Sequence, residues 1–168
     1  FGYTRRMVDS NLLQTESAPV RRLDMPALLA GHRGAVLVSP DGSVEPVAPA
    51  AAVRRISDGL VPMVYHASAT ARRLNTSPFP ALDLLELYAF VRPAKFCRPT
   101  PSGLADALEL DPPEGLENEA RLLQLAGGVL LTDLIRMEPG RDRDLATDTA
   151  RIMEAGKWGW SPLVLRAL

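Results

Sequence analysis

Cysteine is almost missing from this chain: Cys97 is the only one. No internal disulfide can form, and no site built from cysteines alone can hold zinc or an iron–sulfur cluster. A reducing, cytoplasmic setting fits that usage. Histidine is scarce too, with His32 and His66 well separated and no H-E-x-x-H pair to bind a catalytic zinc. Also lacking is a G-x-x-x-x-G-K-[ST] loop, whose backbone amides and lysine would cradle a nucleoside triphosphate, and any G-x-G-x-x-G turn after a strand. ATP hydrolysis and dinucleotide chemistry are therefore not expected of these residues. No run approaches the roughly 20 apolar residues of a membrane-spanning helix, and the start of the chain lacks the apolar core of a secretory signal. Charge of one sign is also lacking. With 19 Lys and Arg against 20 Asp and Glu, the net charge of -1 leaves no broad basic face for nucleic acid or anionic lipid.

What is present is an ordinary globular composition, 46% hydrophobic and 23% charged, which argues against global disorder. The 168 residues suffice for one domain with a real core plus a short appended segment. Residues 1–25 mix paired arginines with Asp, Ser, Asn and Gln and show no sustained periodicity, so a flexible N-terminal arm is expected there. Residues 26–137 carry the domain, and residues 138–168 read as a helical connector. Starting at Phe1, with Met7 and Met25 as alternative starts, and stopping inside the apolar run Pro162–Leu165, the chain reads as a fragment of a longer protein.

Ala35-Val36-Leu37-Val38, the turn Pro40-Asp41-Gly42 and the alternating Ser43–Val47 predict a β-hairpin. Pro46 cannot donate to a ladder and assigns its strand to an edge. A short helix is expected over Ala50–Ile56, then a buried strand at Met63–Tyr65. Ser68 is placed to cap a helix reaching Leu74. In Asp83–Val91, Leu84, Leu85, Tyr88 and Val91 form one face and Asp83 and Glu86 another, and Pro93 ends the element. Thr100-Pro101 pairs an N-cap with proline at the first helical position, opening a helix with Leu104 and Leu108 on its buried stripe. The longest pattern, Leu116–Ile135, reads as a central helix whose Gly127-Gly128 lets another backbone approach. A further helix reaches about Ala155. The order β-β-α-β-α-α-α-α predicts an α/β or α+β domain with a small mixed sheet flanked by helices.

Two-metal nucleases need carboxylates that converge on a cation pair. Val64-Tyr65-His66-Ala67-Ser68-Ala69-Thr70-Ala71 resembles the H-N-x-x-F-D segment of DnaQ-type proofreading exonucleases, with Ala71 at the aspartate position. Asp83-Leu84-Leu85-Glu86-Leu87 resembles their D-T-L-x-L helix start, and Gly103–Leu108 their S-L-x-x-L-A-x-x-L helix. The closing H-x-A-x-x-D-A would fall at Leu116–Ala120, where the histidine is missing and Glu119 replaces aspartate. The opening D-x-E would lie on the first strand, read as Val36–Ser39, which has no acid; Asp41 follows too late. Such a resemblance implies a degenerate exonuclease (RNase H-like) fold without nuclease activity.

A narrower resemblance covers nearly everything from Met25 onward. Asp83–Ala94, Phe96 and Pro99–Ala105 resemble the N-terminal region of DinG-like ATP-dependent DNA helicases, and Trp158–Leu163 resembles the stretch just before their motor. The resemblance implies a non-catalytic accessory domain in DNA repair or replication. Its partners would be the motor of the same polypeptide and, through it, single-stranded DNA. ATP and Mg²⁺ would belong to the motor, and no cofactor to this chain. Arg72, Arg73, Trp158 and Trp160 are the candidate nucleic-acid contacts, through phosphates and base stacking respectively. His66, Ala71 and Glu119 mark the degenerate motif positions. Each has a plainer structural reading: a strand-end histidine, a solvated arginine face, tryptophans packed at a junction. The alternatives are an exonuclease-like nuclease with unusual ligands and a non-catalytic protein-interaction module.

Overall fold

A computed structural model describes residues 21–168. It is a mixed α/β, or α+β, architecture: a five-stranded sheet between two helical layers. The strands are β1 (Ala27–Ala30), β2 (Ala35–Val38), β3 (Val44–Val47), β4 (Met63–Val64) and β5 (Leu82–Asp83). They lie in the order β3-β2-β1-β4-β5. β1, β2 and β3 form an antiparallel meander, with Ala27 opposite Val38 and Ala35 opposite Val47. β4 then joins β1 in parallel, and β5 joins β4 in parallel. Those parallel joins require crossovers, supplied by α1 (Pro49–Ser57) and α2 (Ala67–Arg73).

Burial on both faces explains why β1 and β2 are apolar at every position rather than alternating. Ala27, Leu29, Val36, Val38 and Met63 point to one core, and Leu28, Ala30, Ala35, Leu37 and Val64 to the other. The second, smaller core is closed by α1 and α2 through Ala52 and Leu74. The larger one is covered by α3 (Leu84–Val91), α4 (Pro101–Ala107), α5 (Gly115–Ile135) and α7 (Ser161–Ala167). α6 (Arg141–Ala155) packs mainly on α7 and buries fully only Ala150. Among the described residues no helix is long and apolar enough to cross a membrane.

The hairpin, the edge position of Pro46, the helix after Thr100-Pro101 and the unbroken α5 agree with the sequence reading. Thr100 Oγ1 accepts from Gly103 N–H at 3.0 Å, closing the cap. Two elements differ. The first strand is β1, upstream of the predicted hairpin, and Asp83 lies at the end of β5 rather than inside a helix. Asp83 is buried at 4% exposure, so of the expected wet face only Glu86 is exposed. Leu87 replaces Leu85 and Val91 on the buried stripe of α3.

The expected boundaries also shift. Of the arm assigned to residues 1–25, residues 1–20 lie outside the described residues, while residues 21–25 are fastened to α5. Leu23 N–H donates to the Gln124 carbonyl at 3.0 Å, and buried Gln124 donates through Nε2 to the carbonyls of Met25 (2.8 Å) and Ser39 (2.9 Å). Within residues 138–168, Trp160 and Val164 are fully buried in the larger core.

Candidate functional site

The polar junction of the domain lies where β4 and β5 turn into α2 and α3. Asp83 caps both helices with one carboxylate. Its Oδ1 accepts from the N–H groups of Leu85 (2.9 Å) and Glu86 (3.3 Å) in the first turn of α3. Its Oδ2 accepts from Ala67 N–H at 2.7 Å, the first residue of α2. No side chain of α2 caps that helix, so Asp83, not the expected Ser68, satisfies its open N-terminus. Negative charge at two helix N-termini is also favoured by both helix dipoles. The Asp83 carbonyl accepts the indole N–H of Trp160 at 2.7 Å, which ties α7 to the same point.

His66, the N-cap residue of α2, stands beside this carboxylate. Its Nδ1 lies 3.3 Å from Asp83 Oδ2, within ion-pair range but not aligned as a hydrogen bond. The imidazole is 45% exposed. Next to it, the Tyr65 hydroxyl donates to the Arg98 carbonyl at 3.0 Å, and burial pushes its ionisation well above the ordinary phenol range. Burial also raises the Cys97 thiol, so it stays protonated near neutral pH rather than forming the reactive thiolate.

The degenerate motif positions do not assemble a metal site. The first strand of the sheet is β1, which reads Ala-Leu-Leu-Ala and, like β2, supplies no acid. Ala71 is buried on α2 and Glu119 is half-buried on α5. Asp41 Oδ1 is occupied by Ser43 in the turn after β2, through its N–H (2.9 Å) and hydroxyl (2.7 Å). Three backbone amides consume most of the lone pairs of Asp83. Among the described residues, no group of three or more His, Cys, Asp or Glu could hold a metal ion. The cation pair of a two-metal nuclease does not fit these residues.

Compared with family models, curated proteins and solved structures, the chain matches none.

The candidate DNA contacts separate by geometry. Arg72 is exposed on the last turn of α2, while Arg73 bends back to donate to the Ala30 carbonyl at 2.9 Å, at the end of β1. Trp160 cannot stack on a base: it is 0% exposed. Trp158 is half-buried, with its ring centroid 5.1 Å from that of Phe90 and its N–H on Glu86 at 3.0 Å. It forms one wall of an open groove between α3 and α6.

Sequence reasoning missed that groove and the capping role of Asp83. A signal for the second existed: Asp83-Leu84-Leu85-Glu86 has the spacing of a capping box, which places its first residue before the helix rather than on its wet face.

Proposed function

We propose that this chain is the non-catalytic N-terminal accessory domain of a DinG-like ATP-dependent DNA helicase, acting in DNA repair or replication. In this reading the sheet is a degenerate exonuclease-like frame kept for its shape. The motor of the same polypeptide supplies the hydrolase chemistry with ATP and Mg²⁺ and handles the single strand.

The observation that carries the reading is the want of acids where the resemblance implies metal ligands: β1 and β2 hold none, and Ala71 stands buried on α2 in the place of the aspartate. Asp83, at a strand end beside His66, is turned inward as a cap for two helices. The order of the segments supports the same reading. His66 opens α2 after β4, Asp83 opens α3 after β5, and α4 and α5 follow, as the quoted motifs do along the chain. The nuclease alternative needs open carboxylates that β1, β2 and Ala71 do not offer.

The test is an assay of the purified chain with labelled single-stranded DNA and Mn²⁺, and separately with ATP and Mg²⁺. The expected outcome is release of neither nucleotides nor phosphate. Mn²⁺-dependent release of nucleotides that co-purifies with the chain and disappears in Asp83→Asn would overturn the reading in favour of a nuclease.

A further inference from the structure

The groove between α3 and α6 has an open volume of about 980 Å³. Phe90 and Val91 of α3 form one wall, and Leu145, Ala146 and Met153 of α6 the other, with Met137 between them. On α6 the lining positions 142, 145, 146, 149 and 153 fall at helical spacing. One whole stripe of that helix therefore faces the groove, while Ala150, about a quarter-turn around, is its buried residue. Leu145 is 64% exposed, a costly position for a leucine that no described residue covers.

The charge around this apolar trough is one-sided. Glu86 and Asp142 are its two ionisable lining residues, both acidic. Two arginines beside it are committed elsewhere. Arg92, just past α3, pairs with Asp133 at 2.8 Å. Arg143 donates to the carbonyls of Met137 (2.6 Å) and Leu168 (2.7 Å). An anionic ligand such as a nucleic-acid backbone would meet repulsion here. A trough between two helices, apolar along its floor, lined by adaptable methionines and edged by carboxylates, has the chemistry of a helix-in-groove seat.

We propose that the α3/α6 groove docks an amphipathic helix of a partner protein, with an apolar ridge at i, i+3, i+4 and i+7 lying in the trough and Lys or Arg along its flank facing Glu86 and Asp142. The inference does not depend on the helicase reading, since it rests on the groove alone.

The experiment uses the full chain and two designed helical peptides that share a leucine ridge, one flanked by lysines and the other by glutamates. Fluorescence anisotropy reads their affinities for the wild-type chain and for Leu145→Glu, Asp142→Lys and the control Arg54→Ala, on α1 across the sheet. Leu145, Asp142 and Arg54 are all exposed, so these changes leave the core intact; matching thermal unfolding confirms it. The lysine-flanked peptide is expected to bind at least tenfold more tightly than its glutamate twin and to weaken as salt rises. Leu145→Glu should lower its affinity about tenfold or more. Asp142→Lys should narrow the preference between the two peptides, and Arg54→Ala should change neither affinity. Binding of neither peptide, equal binding of both, or binding indifferent to Leu145→Glu overturns the proposal. A wild-type dimer in light scattering that Leu145→Glu dissociates would also overturn it, by assigning the groove to a second copy of this chain.

Discussion

At the scale of single residues, Asp83 concentrates more structure than any other polar group described. It ends a strand, caps two helices and, through its carbonyl, anchors Trp160. Removing it leaves buried amide donors at both helix starts unsatisfied. Asp83→Ala is therefore expected to lower unfolding free energy by about 2–4 kcal/mol, the sum of two lost caps, measured by urea denaturation. A loss within about 0.5 kcal/mol, typical of an ordinary surface change, would contradict the double cap. His66 and Asp83 were each singled out in the sequence, in separate segments, but their proximity was not legible. Periodicity counting treats Asp83 as one more helical position, and it cannot register that a carboxylate at a boundary also serves a helix 16 residues upstream. The tryptophans divide for a similar reason. Two apart in sequence, they differ by burial alone, with Trp160 in the core and Trp158 at a groove wall.

At the scale of elements, the pieces with a clear pattern or turn signal were readable, the short β4 among them, and β1 and β5 were not. The hairpin announced itself through Asp41-Gly42, α4 through Thr100-Pro101, and α5 through its leucine spacing. β1 is four residues of Ala and Leu, with little β preference and no alternation because both faces are buried. β5 is two residues long and has no period at all. Residues 138–168 looked like a connector because α6 is charged along most of its length, and only tertiary packing shows that α7 closes the core. The reading of Gly127-Gly128 as a close-approach site has a geometric basis. A Cβ on Gly128 would stand 1.9 Å from the Arg21 carbonyl oxygen, whereas one on Gly127 would stand 3.0 Å from the flexible end of Met63. Gly128→Ala should destabilise by about 1–3 kcal/mol through overpacking, outweighing the gain of about 1 kcal/mol in helix propensity. Gly127→Ala should be close to neutral. Thermal melts of the two variants check this, and a stabilised Gly128→Ala would show that the chain at Arg21 does not pack there.

At the scale of the whole molecule, the near-zero net charge hides an uneven distribution. Exposed Arg72 sits on the smaller-core face, and the acidic α3/α6 groove lies on the side of the larger core. The fold class was legible because two-face burial, turn chemistry and helical periodicity agree about it. The proposed function rests on resemblance alone, and the groove was not legible because it depends on residues 50 or more positions apart, such as Phe90 and Leu145. The central proposal is that this α/β domain serves a helicase motor within one polypeptide. Reading the open frame of the source DNA beyond Leu168 tests it most directly. The account predicts a G-x-x-x-x-G-K-[ST] loop followed by an acidic metal-binding box; a frame that ends immediately after Leu168 would contradict it.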